Sequence, residues 1–300
     1  MSVVLLSGGS GGAKLARGLY EILGSDLTVI ANTGDDVEAY GAHVSPDPDL
    51  VGYWLADRID PRGWGLAGDS FEAVAMFKEL GFDGWFNLGD RDLAFCLART
   101  RLIGDGLTQT AAQARLLAAL GVSAAVVPMS DQPVRTRVLS GGRWLGLQEF
   151  IVRLSGEAPI EDIEFAGVTD ALPSPAALPA IAAAATIVIG PSNPIISIGP
   201  ILALPGMREA LRASGAPIVA VSPIVGGAVL KGPTGACMAW AGVPLDASGV
   251  IACYDGLLDG LVCDEPVETI RSLRCDTRMD DAEQRVALAR RVLEFAGTLA

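Results

Sequence analysis

The chain has 300 residues, of which 50% are hydrophobic and 19% are charged, and its formal net charge at pH 7 is −13. This length allows one large or two small domains, and the acidic balance argues against a nucleic-acid partner, because such binding depends on Lys and Arg that neutralise phosphates. An anionic substrate would also be repelled unless glycine-rich turns, local Arg or Lys residues or a divalent cation compensate, so a metal ion is expected if the ligand is a diphosphate.

The first predicted elements are a strand at residues 3–6 and a helix whose apolar residues recur from Leu15 to Leu23. Glycines between them let backbone amides approach an anion, and the helix N-terminus adds partial positive charge. The residues expected to contact phosphate are Gly8, Gly9, Ser10, Gly11, Gly12 and Lys14. This turn matches neither the Walker A pattern nor the dinucleotide fingerprint, and a tight strand–helix junction is the alternative interpretation.

Acidic residues follow the second predicted strand, residues 27–31. They lie where open α/β sheets bind ligands, so Asn32 is a candidate ligand contact, while Asp35 and Asp36 can bind a ribose, hold a metal ion or cap a turn. The segment Ser45-Pro46-Asp47-Pro48-Asp49 then presents two carboxylates on a stiff backbone, or begins a helix. The single histidine, His43, has no partners that suggest a catalytic triad.

Residues 50–120 are predicted to form a helical insertion. In it, Asp69-Ser70-Phe71-Glu72 has the pattern of a capping box, and a short strand at residues 85–88 precedes Gly89-Asp90-Arg91-Asp92. Asp90 can be the N-cap of the helix that follows. However, the charge density of the motif and the planar guanidinium of Arg91, which suits phosphates and aromatic rings, favour a binding role for Asp90 and Arg91.

The second half of the chain is predicted to contribute a hairpin (residues 135–139 and 144–152) and further strands and helices. The other predicted strands are residues 124–127, 186–189, 218–221, 250–252 and 261–263, and the other predicted helices are residues 113–120, 176–185, 207–213 and 282–296. Alternation of strands and helices predicts one domain over residues 1–300, an α/β fold with a doubly wound, mostly parallel Rossmann-like sheet and a helical insertion.

Polar residues also follow the later strands. Ser192 and Asn193 stand between two prolines directly after the 186–189 strand, where a rigid polar patch favours ligand contact. Lys231 follows the 218–221 strand and is a candidate phosphate contact.

The apolar stretch 171–207 carries no charged residue, but seven prolines interrupt it. A membrane-spanning helix needs about 20 uninterrupted apolar residues, so buried strands are expected here and no membrane span. The five scattered cysteines lack zinc-site spacing, and no signal-peptide pattern is found. We therefore expect a cytoplasmic protein with reduced thiols.

In this order, the polar segments resemble the 2-phospho-L-lactate transferase family, whose members build the deazaflavin coenzyme F-420. The matching stretches are SGGSGGAKL (7–15), ANTGDD (31–36), SPDPD (45–49), GDRD (89–92), PMSDQPVRT (128–136), GPSNPIISIGPIL (190–202) and VSPIVGGAVLKGP (221–233). They span almost the whole chain, and the joint pattern is specific although each piece is modest. The family usually has Thr where this chain has Ser10, and Leu where it has Pro48.

The resemblance implies a homodimer that depends on Mg²⁺ and catalyses a transfer. The terminal ribityl hydroxyl of the deazaflavin precursor Fo would attack the phosphorus that carries a three-carbon acid in a guanosine diphosphate-linked donor, and GMP would leave. By family analogy Asp49 and Arg91 contact Fo. The turn at residues 8–12, with Ser192 and Asn193, would hold the guanosine diphosphate.

Phosphoryl transfer needs mainly positioning and charge neutralisation, so no covalent nucleophile is expected. The acids expected to hold Mg²⁺ or orient the attacking hydroxyl are Asp35, Asp36 and Asp49. The candidate catalytic residues are thus Asp36, Asp49 and Arg91. The sequence does not choose among lactyl, enolpyruvyl and phosphoglyceryl donors.

Two other functions are open at this point. A nucleotide-sugar-binding regulator of the gluconeogenesis-factor-like family would share the glycine turn, but the segments at residues 89–92 and 190–194 favour the transferase. An NAD-linked oxidoreductase would use Asp35 or Asp36 on a ribose, and the missing dinucleotide fingerprint counts against it. Binding of Fo distinguishes the transferase from both.

Overall fold

The structure is a computed structural model that describes residues 1–230 and 232–299. Lys231, predicted to contact phosphate, lies outside the described residues. The strands are β1 (Val3–Ser7), β2 (Leu27–Ala31), β3 (Val37–Ala39), β4 (Ala42–Val44), β5 (Ala125–Pro128), β6 (Arg135–Ser140), β7 (Arg143–Gly146), β8 (Asp162–Ala166), β9 (Thr186–Ile189), β10 (Ile218–Val221), β11 (Ile224–Val225), β12 (Ala228–Val229), β13 (Gly260–Cys263) and β14 (Arg271–Arg274).

The helices are α1 (Gly9–Leu23), α2 (Pro46–Leu55), α3 (Glu72–Glu79), α4 (Asp90–Gly104), α5 (Gln109–Ala119), α6 (Leu147–Arg153), α7 (Ala177–Ala182), α8 (Gly199–Ala203), α9 (Met207–Ala213), α10 (Thr234–Trp240), α11 (Ala247–Tyr254) and α12 (Ala282–Gly297).

The central sheet of the described residues has seven strands in the order β14-β13-β10-β9-β1-β2-β5. All neighbouring pairs are parallel, so the carboxyl ends of the strands lie along one edge. The chain proceeds from β1 to β2 and β5 on one side, and later from β9 to β10, β13 and β14 on the other. Such a reversal leaves a crevice between β1 and β9, where ligands of open α/β sheets bind.

Side chains of β1 alternate between two hydrophobic layers, because successive residues of a strand point to opposite faces. Val3 and Leu5 pack in the layer that contains the apolar faces of α1 and α12. Val4 and Leu6 pack in the layer under α7, α8 and α9. Both layers are buried, which explains why the strands read as continuous apolar runs.

The structure confirms the predicted α/β fold, with its parallel sheet and with helices α3, α4 and α5 between β2 and β5. Small antiparallel elements add to it: the β3–β4 hairpin, the β11–β12 hairpin and a sheet in the order β7-β6-β8. The short strand β8 and the sheet-edge strand β14 were not predicted, since their residues are only partly apolar.

Three predicted elements are wrong. Residues 250–252 belong to α11, whose N-cap Asp246 accepts a hydrogen bond from the Gly249 amide, and a short apolar run does not distinguish a strand from a buried helix. Residues 85–88 form irregular structure rather than a strand. The second hairpin strand ends at Gly146, where α6 begins.

No helix within residues 1–230 or 232–299 combines the length and apolar character needed to cross a membrane. The cysteines are free thiols, and four of the five are buried: Cys96, Cys237, Cys263 and Cys275.

The crossing of α1 over α12 generates a stability prediction. A Cβ on Gly18 would collide with the backbone carbonyl of Arg285, which the helix cannot move cheaply. We expect Gly18→Ala to destabilise the fold by about 1–3 kcal/mol, although alanine normally favours a helix over glycine. Urea unfolding monitored by circular dichroism measures this.

Gly104→Ala is the matched control. Gly104 also lies in a helix, and a Cβ there would meet nothing within 4 Å. We expect this variant to be as stable as the natural chain or more stable. Equal stability of the two variants would contradict the close crossing of α1 and α12.

Candidate active site

The crevice between β1 and β9 is bounded by the glycine turn on one side and by residues 190–198 on the other. Ser192 Oγ accepts a hydrogen bond from the Gly8 amide at 3.2 Å, which joins the two sides. A Cβ on Gly12 would collide with Ser7 Oγ and lie 2.7 Å from Ser192 Oγ, and a Cβ on Gly11 would collide with the Pro191 carbonyl. These glycines therefore allow the two loops to pack closely.

The N-terminus of α1 also faces the crevice. Gly9 has a φ of +65°, which favours glycine, and its amide donates to Asp47 Oδ1 at 2.6 Å. The first amides of a helix have no acceptor inside it. For the amides of Ser10 and Gly11, no acceptor is found in the part of the chain that the structure describes. They are suited to an anion in the crevice.

Asn32 connects two buried carboxylates. Its amide nitrogen lies 2.9 Å from Asp47 Oδ2 and 3.5 Å from Asp35 Oδ1, while its oxygen accepts from the Gly34 amide. The other oxygen of Asp35 accepts from Gln148 at 3.0 Å. Asn32 thus orients both acids with neutral donors, which leaves their negative charges uncompensated.

The pKa values of these two acids reflect the missing countercharge. Burial, together with the charges of Asp47 and Asp36, raises the pKa of Asp35 well above its usual range. Burial raises the pKa of Asp47 to about 6, although the bonds from Asn32 and Gly9 oppose this. Two neighbouring acids of this kind favour a shared proton or a bound cation.

Asp36 has a different environment, because a histidine lies beside it in addition to the neutral donors on its oxygens. Ser45 donates to Oδ1 at 2.7 Å, and Gln109 donates to Oδ2 at 2.8 Å. His43 Nε2 lies 3.0 Å from the same Oδ2, and its Nδ1 lies 2.9 Å from Glu38. Burial lowers the pKa of His43, but its contacts with Asp36 and Glu38 outweigh that effect, so the pKa lies above its usual value.

Asp49 forms a buried ion pair. Arg99, whose side chain is 0% exposed, donates through Nη2 to Asp49 Oδ1 and to Gln113 at 3.0 Å, and through Nη1 to the His43 carbonyl at 3.2 Å. Burial raises the pKa of Asp49, and the neighbouring guanidinium opposes that shift. The pair connects α2 to α4 and satisfies the charge of Asp49 within the protein.

Helix geometry explains why Asp47 and Asp49 have different partners. Successive residues of an α-helix turn by about 100°, so residues two apart point to nearly opposite sides. Asp47 therefore faces the glycine turn, and Asp49 faces α4. The prolines Pro46 and Pro48 lie in the first turn of α2, where their missing amides cost no helical bond.

The segment Gly89-Asp90-Arg91-Asp92 divides into structural residues and one exposed cation. A Cβ on Gly89 would collide with the Asp69 carboxylate. Asp90 accepts from Ser70 Oγ and from the amides of Glu72 and Ala73 at 2.7–3.1 Å, so it caps α3 rather than its own helix. The helix predicted to begin after Asp69 is present as α3, but the predicted capping box is wrong, because Asp69 accepts from the amides of Arg91 and Asp92 instead.

Asp92 is buried and accepts from Tyr53 at 2.6 Å, and burial raises its pKa to about 7. Arg91, in contrast, is exposed, and its guanidinium contacts the Ala67 carbonyl at 3.4 Å. No salt bridge to Arg91 forms within residues 1–230 and 232–299. Of the four motif residues, Arg91 is the one available to an anionic or aromatic ligand.

Asn193 stabilises the loop after β9. Its side-chain oxygen accepts from the amides of Ile195 and Ile196 at 2.9 and 3.2 Å. Asn193 thus shapes the loop, whereas Ser192 and Ser197 face the glycine turn: a Cβ on Gly8 would lie 2.6 Å from Ser197 Cβ.

The residues at the crevice fit a divalent cation best at Asp35 and Asp47. Both are buried, neither is paired with a basic side chain among the described residues, and hard cations prefer carboxylate and hydroxyl oxygens. The hydroxyls of Thr33 and Thr136 are buried without a hydrogen-bond partner in the described chain. A Cβ on Gly34, the residue after Thr33, would lie 2.6 Å from Thr136 Oγ1.

A second cluster fits a cation poorly. Ligand atoms of Asp49, Asp92 and Cys96 lie within 4.8 Å of one another. However, Arg99 neutralises Asp49, and Tyr53 already donates to Asp92. A cation there would face a guanidinium.

Four residues of the candidate site were not among the predicted site residues: Asp47, Arg99, Gln109 and Gln148. Asp47 stands two residues before Asp49 and directly after Pro46, a position typical of the first turn of a helix, and this was the sequence feature that could have identified it. Arg99 and Gln148 meet their acids across 50 and 113 residues of chain, respectively. No local pattern signals such contacts.

The chain is similar to known proteins over nearly its whole length. The family model described as 2-phospho-L-lactate transferase CofD matches residues 3–294. A protein of Methanosarcina mazei named 2-phospho-L-lactate transferase is 39% identical over 303 residues, covering 97% of this chain and 99% of that protein. A Streptomyces griseus protein named phosphoenolpyruvate transferase is 39% identical over 313 residues, covering 99% and 98%.

A solved structure is similar in fold. The crystal structure of a UPF0052-family protein from Bacillus halodurans has a TM-score of 0.64 to this chain, at 17% identity. The likeness covers 97% of this chain and 98% of that chain. At this identity it concerns the fold alone.

The Asp49–Arg99 ion pair generates a prediction about stability. Arg99→Leu removes the guanidinium and leaves the Asp49 carboxylate buried without a countercharge. We expect a loss of about 3–5 kcal/mol in the free energy of unfolding, measured in urea at pH 7.

The double variant Arg99→Leu with Asp49→Asn is the matched control, since it removes both charges. We expect it to regain part of the lost stability. The losses of Arg99→Leu and of Asp49→Asn are also measured separately. If the double variant is less stable by the full sum of these two losses, the two side chains are not coupled.

Proposed function

The chain belongs to the 2-phospho-L-lactate transferase CofD family and is a transferase, and from this premise we propose the reaction that follows. In the proposed reaction, the chain transfers a phospho-three-carbon-acid group from a guanosine diphosphate-linked donor to the terminal ribityl hydroxyl of Fo, in the synthesis of coenzyme F-420. The observation that carries the proposal is the pairing, in one crevice, of free helix amides with two uncompensated buried acids. These features suit a diphosphate and a divalent cation.

The donor diphosphate is proposed to lie in the crevice between the glycine turn and residues 190–198. The amides of Ser10 and Gly11 would donate to phosphate oxygens, and Ser192 and Ser197 would flank them. The net negative charge of Asp35 and Asp47 would repel the diphosphate alone. A cation between acids and phosphates removes that repulsion.

Mg²⁺ is the proposed cation, with Asp35 and Asp47 as its protein ligands. When bound, it neutralises the charge that develops on the phosphate oxygens as the reaction proceeds. Asn32 and Gln148 hold the two carboxylates in place. We propose a positioning role for Asp36 and Asp49 instead, because His43 lies 3.0 Å from Asp36 and Arg99 neutralises Asp49.

The acceptor is proposed to bind beside Arg91 at the start of α4. The exposed guanidinium would contact Fo, by charge with an oxygen or by stacking on the ring system. Asp49 lies behind this helix in a fully buried ion pair, so its contribution would be to hold α2 and α4 in place.

The chemistry forms one bond and breaks one bond at phosphorus. The ribityl oxygen bonds to the phosphorus that carries the three-carbon acid, and the bridging oxygen to the guanylyl group leaves with GMP. The hydroxyl proton is released and a phosphodiester remains. The chain's residues orient the hydroxyl and the phosphorus and exclude water, which is the main requirement of phosphoryl transfer.

The names of the relatives indicate possible donors but do not identify the donor of this chain. One is named for phospholactate and another for phosphoenolpyruvate, at the same 39% identity. We propose that the donor carries a lactyl, enolpyruvyl or phosphoglyceryl group. A homodimer in the cytoplasm is also proposed, from family resemblance and from the five free thiols.

Transferase activity tests the proposal directly. With Mg²⁺, Fo and each guanylylated three-carbon acid in turn, we expect release of GMP and formation of a phosphodiester of Fo, identified by mass spectrometry. Arg91→Ala should lower kcat/KM by roughly 10- to 100-fold, because a charged contact is worth about 1.5–3 kcal/mol.

Arg101→Ala is the matched control for that substitution. Arg101 lies in the same helix, its side chain is 80% exposed, and it pairs with Asp105 rather than facing the crevice. Its activity should equal that of the natural chain. Absence of turnover with all three donors would overturn the proposed function, and natural activity of Arg91→Ala would overturn the role of Arg91.

Mg²⁺ should stabilise the fold in a pH-dependent way. The raised pKa values of Asp35 and Asp47 mean that both acids bind protons more tightly in the fold than in the unfolded chain. Since a metal binds the ionised acids, its stabilisation should be present at pH 8 and small at pH 5. At a Mg²⁺ concentration one hundred times Kd, the gain is about 2.7 kcal/mol.

Thermal unfolding with and without MgCl₂ measures this gain. Asp47→Asn should abolish it at pH 8, whereas Asp276→Asn, which removes an exposed acid paired with Arg278, should retain it. An unchanged Mg²⁺ effect in Asp47→Asn would show that the cation binds elsewhere.

A further inference from the structure

Asp69 fixes the backbone that carries Arg91. Its Oδ1 accepts from the Arg91 amide at 2.8 Å, and its Oδ2 accepts from the Asp92 amide at 3.0 Å. Asp69 lies 22 residues before Arg91, in the loop that precedes α3. A carboxylate from a distant loop therefore caps the N-terminus of α4, where a side chain of the preceding residue usually serves.

The capping is reciprocal. While Asp69 caps α4, Asp90 caps α3 through the amides of Glu72 and Ala73. The Asp90 amide in turn donates to the Ser70 carbonyl at 2.8 Å. The two helix starts are thus connected by carboxylates in both directions, and neither start can move without breaking charged hydrogen bonds.

Gly89 makes this arrangement possible. Any Cβ at that position would collide with the Asp69 carboxylate. The N-cap of α4 consequently has no side chain of its own with which to cap the helix. The role passes to Asp69, which approaches from outside.

The same loop also contacts the Arg91 side chain, through the Ala67 carbonyl. A cation in the first turn of a helix faces the positive end of the helix dipole, so this placement costs some stability. Asp69 supplies the compensating negative charge at the helix start. The loop therefore restrains both the backbone and the guanidinium of Arg91.

We propose that Asp69 is a positioning residue for Arg91, and that its reciprocal capping with Asp90 holds the guanidinium in the orientation that binds the acceptor. The proposal rests on the proposed function, because it takes Fo as the ligand of Arg91. It assigns no contact between Asp69 and substrate. Asp69 acts through the Arg91 backbone.

Equilibrium titration of the full-length protein with Fo tests the proposal by a double-mutant cycle. We expect Asp69→Ala to weaken Fo binding by about five- to tenfold, comparable to the loss of a helix cap. In the Arg91→Ala background, the same change should have little further effect, because its route of action is gone. Asp69→Asn, which keeps one acceptor oxygen, should have an intermediate affinity.

Asp246→Ala is the control for a merely structural loss. Asp246 also caps a helix, accepting from the Gly249 amide at 3.0 Å, but that helix is α11. The control should lose similar stability and keep its Fo affinity. If Asp69→Ala keeps its Fo affinity, or weakens binding equally with and without Arg91, the proposal is overturned.

Hydrogen exchange separates this failure from failure of the proposed function. In Asp69→Ala, the amides of Arg91 and Asp92 should exchange faster, and in Asp246→Ala they should not. If the natural chain does not bind Fo, the proposed function is wrong, and the functional part of this proposal falls with it. Unchanged exchange in Asp69→Ala would overturn the capping contact itself.

Discussion

Four buried carboxylates in the segment 35–49 form the constraint on which the rest of the site depends. Removing an ionised carboxylate from water costs several kcal/mol unless partners compensate. Asp35, Asp36, Asp47 and Asp49 are each at most 6% exposed. The fold has to provide compensation for the charges of all four acids.

The partners that compensate the negative charge differ from one acid to the next, and this difference supports the roles proposed for the four acids. Arg99 neutralises Asp49 with a full charge, whereas Asp36 receives hydroxyl and amide donors on both oxygens and a histidine beside them. Asp35 and Asp47 receive only neutral donors. These contacts support the positioning role proposed for Asp36 and Asp49, and the uncompensated charge lies at Asp35 and Asp47, beside the helix amides.

The sequence predicted the features that depend on local chemistry. Strands β1, β2, β9 and β10 were predicted because buried parallel strands read as apolar runs, and the polar segments after them were placed at the sheet edge by topology alone. Asp69 was assigned to the wrong helix, because a capping pattern specifies chemistry but not which backbone it meets. The orientation of Asp47 against Asp49, and the partners Arg99 and Gln148, depend on contacts between distant segments, which no local spacing encodes.

Helix α6, outside the central sheet, connects one of the buried acids with the segment that leads into α4. At one end of this helix, Gln148 binds Asp35. At the other end, the Arg153 guanidinium lies 5.2 Å from the Trp85 ring centroid and pairs with Asp83. Trp85 and Asp83 belong to the segment that leads into α4 and Arg91.

The position of the start of α4, where we propose that the acceptor binds, is thus restrained relative to the buried acids by one short helix as well as by the reciprocal caps. A transfer between two bound substrates requires the reacting atoms to meet within about 3–3.5 Å, so errors in the relative position of the two sides directly reduce the rate. The contacts of α6 and of Asp69 both restrain the start of α4 and the segment that leads into it. The central sheet alone does not hold this segment, so its position depends on the contacts of α6 and of Asp69.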